Sequence, residues 1–128
     1  MDYEQDYIMR MIKQMVRVLF SLMLGKKYVE YELPAENDFT ISDDTYVKII
    51  QMADEGRINE AENFLYKNLD RSDKRYFEMG LAFYEHLNSF TDDFLETHDY
   101  CRQEILDGIE NFAGEYGVSG MVSSVPLL

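Results

Sequence analysis

The chain has no tryptophan, one cysteine, two prolines and little positive charge, with 12 Lys and Arg against 25 Asp and Glu in 128 residues. Each shortage excludes something. A lone Cys101 cannot form an internal disulfide framework, which fits a reducing, cytoplasmic setting. A net charge of −13 sets the chain against nucleic acid, because phosphate binding needs cations. No uncharged apolar run is long enough to cross a bilayer. The stretch over residues 8–24 carries Arg10, Lys13 and Arg17, so no transmembrane helix is expected. Asp2, Glu4 and Asp6 stand where a secretory signal needs a basic start, so none is expected.

What is present is enough for one packed domain. Apolar residues make up 46% of the chain, well above a disordered composition, and the length suits a single core. The charge is uneven. Residues 1–27 carry five basic and three acidic side chains, net +2, and residues 28–128 are net −15. Such asymmetry points to an internal contact or to an anionic partner for the N-terminal segment.

Periodicity predicts an all-α fold of about five helices. The first covers residues 3–24, with acids in its first turns and Gly25 as its stop. Arg10, Lys13, Gln14, Arg17 and Ser21 fall on one narrow stripe. Ile8, Met11, Ile12, Met15, Val16, Leu19 and their neighbours fill the rest, a wider apolar face than a surface helix needs. Residues 25–41 read as an extended linker, in which Tyr31 and Leu33 alternate with Glu30 and Glu32. The second helix is predicted from an N-cap at Ser42 to a stop at Gly56, and the third covers residues 58–69. The fourth runs from an N-cap at Ser72 to about Asn88. The fifth runs unbroken from an N-cap at Thr91 to Glu115. On it Phe94, His98, Cys101, Ile105, Gly108 and Phe112 repeat as one buried seam. The domain is taken as 1–117, with helical hairpins over 42–117, and 118–128 as a tail, loose or docked in a groove.

Two stretches resemble tetratricopeptide hairpins. In Ala53-Asp54-Glu55-Gly56-Arg57-Ile58-Asn59-Glu60-Ala61, Gly56 would end one helix and Ala61 would sit at the crossing of the next. In Tyr76-Phe77-Glu78-Met79-Gly80-Leu81-Ala82-Phe83-Tyr84, Gly80 would sit at the close contact. The spacing of 24 residues from Gly56 to Gly80 departs from that repeat, and no proline closes the hairpin. The opening Met1-Asp2-Tyr3-Glu4-Gln5-Asp6-Tyr7-Ile8-Met9-Arg10-Met11-Ile12 resembles a family of short, all-helical clostridial proteins of unknown function. That resemblance covers the whole chain. It implies a helical fold and a bacterial cytoplasmic setting, and it brings no catalytic residue.

Candidate chemistry is sparse. His98 and Cys101 share a helix face, but two ligands are too few for zinc, and their seam points them into the core. The pairs Asp43 with Asp44 and Asp92 with Asp93 suit caps and helix dipoles better than acid–base work. No phosphate loop or nucleophile elbow is present. No cofactor, metal site or catalytic residue is therefore assigned. The sharpest feature is the stripe Arg10, Lys13, Arg17. Three readings of its helix stand open: packing on its own body, a dimer or protein contact through methionines such as Met11 and Met15, and an anionic membrane surface. The function expected is a non-enzymatic interaction module working through a helical groove or this helix. Tyr76 and Tyr84 are counted among its contact residues, with a protein partner or second copy as occupant. The rival is a small enzyme with a pocket built on His86 or His98 and carboxylates.

Overall fold

The computed structural model describes residues 3–26 and 30–118. Six helices account for the regular structure among them, and no strand occurs there: α1 Tyr3–Leu24, α2 Ile41–Asp54, α3 Ile58–Lys67, α4 Lys74–Asn88, α5 Asp92–Thr97 and α6 Arg102–Glu115. One further turn of 3₁₀ helix, Glu36–Asp38, lies in the linker.

The central element is α4. Tyr76, Phe77, Met79, Leu81, Phe83, Tyr84 and Leu87 bury themselves in several directions, the pattern of a helix covered all round. Its neighbours are placed by paired contacts at their ends. Asn88 Nδ2 donates to the Met9 carbonyl at 3.1 Å, and Lys26 pairs with Glu78 at 2.7 Å, so α1 runs antiparallel to α4. Ser42 and Asp43 meet Asp73 and Arg75 at one end, and Asp54 meets His86 at the other, so α2 runs parallel to α4. Tyr76 and Tyr84 bond to Leu65 and Glu62 of α3, and Arg102 and Tyr116 bracket α4 from α6. Both α3 and α6 are therefore antiparallel to α4. The two expected antiparallel hairpins, α2 with α3 and α4 with α6, are present.

The long N-terminal helix packs inside its own chain. Ile8, Ile12, Met15, Val16, Leu19 and Phe20 are buried at helical spacing against α4 and α6. Each such side chain removed from water contributes about 1.5–3 kcal/mol. The breadth of the apolar face follows from its position over two helices rather than one.

Two glycines have a steric reason. Gly56 sits at φ +88° and turns α2 into α3, with His98 packed on its Cα. Gly80 brings α4 onto α6: a Cβ there would overlap the Phe112 ring.

The structure corrects several boundaries. The cap of α2 is Thr40, whose hydroxyl accepts from the Asp43 N–H while the Asp43 carboxylate accepts from the Thr40 N–H at 2.9 Å. That reciprocal box selects Thr40 over Ser42, and the Ser42 hydroxyl instead donates to Asp73 at 3.3 Å. Asp73, accepting from the Arg75 N–H, caps α4 in place of Ser72, and α3 ends at Lys67. Thr91 does cap the next helix.

The largest correction is the predicted fifth helix, which is two. The chain leaves α5 at Thr97, takes φ +57° at Asp99 and restarts at Arg102. The cause lies at Arg102, which is 1% exposed. Its guanidinium donates to the Asn88 and Phe90 carbonyls at 2.8 and 2.7 Å and to Asp92 at 2.7 Å, so it occupies the exposed carbonyl end of α4. An unbroken helix would not bring Arg102 back onto Asp92. The expected seam therefore survives only as Ile105, Gly108 and Phe112 on α6, and His98 and Cys101 are partly exposed rather than core. Val118, expected to begin the tail, is buried and donates to the Ala113 carbonyl at 3.0 Å. The rest of the expected tail, residues 119–128, lies outside the described residues.

Candidate functional site

The linker over residues 30–40 is held on the body by one tyrosine and one arginine. Tyr31 packs at a tilt on Tyr46 with ring centroids 4.8 Å apart and donates its hydroxyl to Asp43 at 2.5 Å. Arg75 reaches the Glu32 carbonyl at 3.0 Å, pairs with Asp43 at 2.7 Å and lies 4.4 Å from the Tyr31 ring centre. The Asp43 carboxylate is wholly buried. Burial alone would raise its pKa, but hydrogen bonds from the Thr40 backbone, Tyr31 and Arg75 outweigh that and hold it at about 2. The same geometry pushes the Tyr31 phenol up, by burial first and by its bond to the carboxylate second.

Three depressions adjoin this pinned linker. A charged cleft of about 670 Å³ is lined by Lys26, Glu30, Glu32, Asp38, Asp43, Arg75 and Glu78 among others. Its two cations are committed, Lys26 to Glu78 and Arg75 to Asp43. On the rim Glu30 bonds to Glu32, which raises the Glu30 pKa. A second groove of about 400 Å³ is apolar, lined by Leu33, Tyr46, Val47, Ile50 and Gln51 with Asp54 and Glu55 at its end. A third, of about 290 Å³, lies over α4 and is lined by Tyr31, Tyr46, Ala82, Glu85, His86 and Ser89. Tyr46 is shared by the last two.

The apolar groove is the feature that the body does not use. On the outer side of α2 and the linker, Val47 and Leu33 are 41% and 42% exposed, beside half-buried Tyr46 and Ile50. From sequence, α2 is read as a helix ended by Gly56, with no division of its apolar residues between core and surface. A signal was there. Four of the five residues 46–50 are apolar, and at 100° per residue they spread over about 160° of arc, wider than a single packing contact covers.

The residues singled out from sequence divide sharply. Arg10, Lys13 and Arg17 are exposed on the outer side of α1. Lys13 and Arg17 face Glu85 of α4, whose carboxyl is raised by burial and partly restored by those two charges. Met11 is half-buried against the core. Met15, Tyr76 and Tyr84 are buried and offer a partner no surface. The Tyr76 hydroxyl donates to the Leu65 carbonyl at 2.7 Å, and burial raises it to about 12. Tyr84 donates to Glu62 at 2.6 Å in a closed cluster with Tyr100, where burial raises the carboxyl and the phenol together.

Both histidines hold the end of α2. The His86 Nε2 lies 2.7 Å from Asp54, and the His98 ring packs on Gly56 while its Nδ1 meets the Phe94 carbonyl at 2.7 Å. Phe90 and Phe94 lie between them, edge-on or tilted, at 5.2, 4.6 and 4.4 Å from ring to ring. Among the described residues no three His, Cys, Asp or Glu side chains could hold a metal ion, and no helix is long and apolar enough to cross a membrane.

A family model matches residues 2–117, which takes in α1, the linker and every helix through α6. The chain belongs to DUF6483, a family of unknown function. No curated protein and no solved structure matches it. The match includes the linker and α2, and the all-helical fold that the N-terminal resemblance implied is the one observed.

Proposed function

We propose that this protein is a non-enzymatic interaction module of the bacterial cytoplasm whose docking surface is the outer side of α2 with the linker beside it. The observation that carries the reading is the exposed pair Leu33 and Val47, continued by Tyr46 and Ile50 around an open groove of about 400 Å³. A contiguous apolar patch with a polar rim costs solubility unless something covers it. The α2–α3 pair would serve as a tetratricopeptide hairpin does, presenting one helix face to a bound segment. A membrane role for α1 is disfavoured by chemistry, because such a helix inserts its apolar face, and here Ile12, Val16, Leu19 and Phe20 are occupied in the core.

Co-purification from the native organism tests the reading. Wild type and the double variant Val47→Asp/Ile50→Asp are compared, with thermal melts as the folding control. A partner that is retained by the folded variant sinks the α2 surface.

A further inference from the structure

We infer that the segment docked on the outer side of α2 is a cationic amphipathic helix of a partner protein, an inference that rests on the reading just proposed. The argument is charge complementarity around an apolar strip. Between residues 30 and 40 the chain has four acids and no base, and three of them, Glu30, Glu32 and Asp38, line the charged cleft that meets the groove at Leu33. On α2, exposed Asp44 precedes Val47 by one turn, and the far end of the groove is closed by Asp54, in contact with His86, and by Glu55, paired with Arg57. The nearby cations are turned to other duties. Lys48 lies 5.2 Å over the Phe64 ring on the α3 side, and Arg57 is paired with Glu55 and Glu60.

The apolar positions suit a helix. Val47 and Ile50 are one turn apart, and Leu33 faces them from the linker, so a partner helix with apolar residues three and four apart can lay its stripe between them. Lys or Arg flanking that stripe would meet the cleft's carboxylates beyond Leu33 and the carboxylates at the far end of the groove. A second copy is a poor occupant. Two α2 faces would oppose like charges. The basic α1 has its apolar face in its own core, and among its described side chains the large exposed hydrophobics are Tyr7 and Leu22, at opposite ends. Anionic lipid and nucleic acid meet the same acidic field.

The test uses two helical peptides of about 18 residues with identical leucine stripes, one with Lys and one with Glu at every polar position. Binding to the full chain is followed by fluorescence anisotropy. The Lys peptide is expected to bind, to weaken with added salt, and to weaken further against Glu32→Gln/Asp44→Asn. The deciding variant is Val47→Asp. It makes the surface more acidic, so plain charge attraction would strengthen, whereas docking on the apolar strip should weaken about tenfold or more. A Glu peptide that binds as well as the Lys peptide, with Val47→Asp weakening both, overturns the cationic partner and leaves the docking surface standing. Tighter Lys-peptide binding to Val47→Asp, or no binding of either peptide, overturns both. Concentration-dependent self-association that Val47→Asp abolishes makes a second copy the occupant and overturns the inference.

Discussion

Gly80→Ala puts the α4–α6 contact under direct test. On a solvent-facing helix this change stabilises by about 1 kcal/mol, since alanine is the better helix former. Here the new methyl would overlap the Phe112 Cζ and Cε2 atoms and lie 3.0 Å from Cε1, where ordinary carbon contacts are about 3.5–4.0 Å. The ring has nowhere to go. It stacks on Phe77 at 5.7 Å and meets Tyr66, Tyr84 and Tyr116 at 6.2, 6.2 and 5.4 Å. Overpacking of this kind costs about 1–3 kcal/mol. The clash is deep and the neighbours are rigid, so the upper part of that range applies before the propensity gain is subtracted. The net expectation is a loss of about 1–2 kcal/mol, a fall in Tm of roughly 5 °C for a domain of this size. Urea unfolding monitored by circular dichroism reads it directly. The same change made in a Phe112→Leu background should cost nothing or stabilise slightly, because the obstructing ring is gone. A rise in stability in the wild-type background, or an equal loss in both backgrounds, refutes the close crossing of α4 on α6.

Other consequences follow from the buried charges. Arg102→Met should cost about 2–4 kcal/mol in urea unfolding, because the Asn88 and Phe90 carbonyls lose their donor; Arg102→Lys, a single-point donor, should recover only part. Asp43 has a folded pKa of about 2 against 3.8 for the free group. Its contribution of about 2 kcal/mol is present above pH 4 and lost as the pH falls through 2, so Asp43→Asn should cost about that much at pH 7 and progressively less in acid. Glu62 is shifted the other way, above 4.5, chiefly by burial. Its stability is full below pH 4.5 and declines as the pH rises through the folded value. Glu62→Gln should therefore flatten the loss seen in melts taken from acid to neutral pH, and an unchanged pH profile would count against a buried carboxyl there.

The sequence by itself determined the elements whose signal is local and long. The first helix runs over residues 3–24 as its periodicity predicts, because 22 residues of one pattern average out any single exception. The starts of α1 to α5 were legible to within two residues, and the misses have a cause. Thr40 outranks Ser42 because Asp43 completes the reciprocal box, and Asp73 outranks Ser72 because it receives the Arg75 N–H. The all-helical class and the glycine stop at Gly56 were likewise written in composition and spacing.

Only the tertiary structure decided which apolar residues are covered. Tyr76, Tyr84 and Met15 have the chemistry of contact residues, yet α4 and α1 turn them inward. Val47 and Leu33 have the chemistry of core residues, yet nothing in the described chain packs over them. The break before α6 has the same origin. Read locally, Arg102 is one more surface charge on a continuous helix; folded, it lies on the carbonyl end of α4, and the helix must stop to let it reach. Burial depends on what another element brings from far along the chain, and spacing within one element carries no information about that.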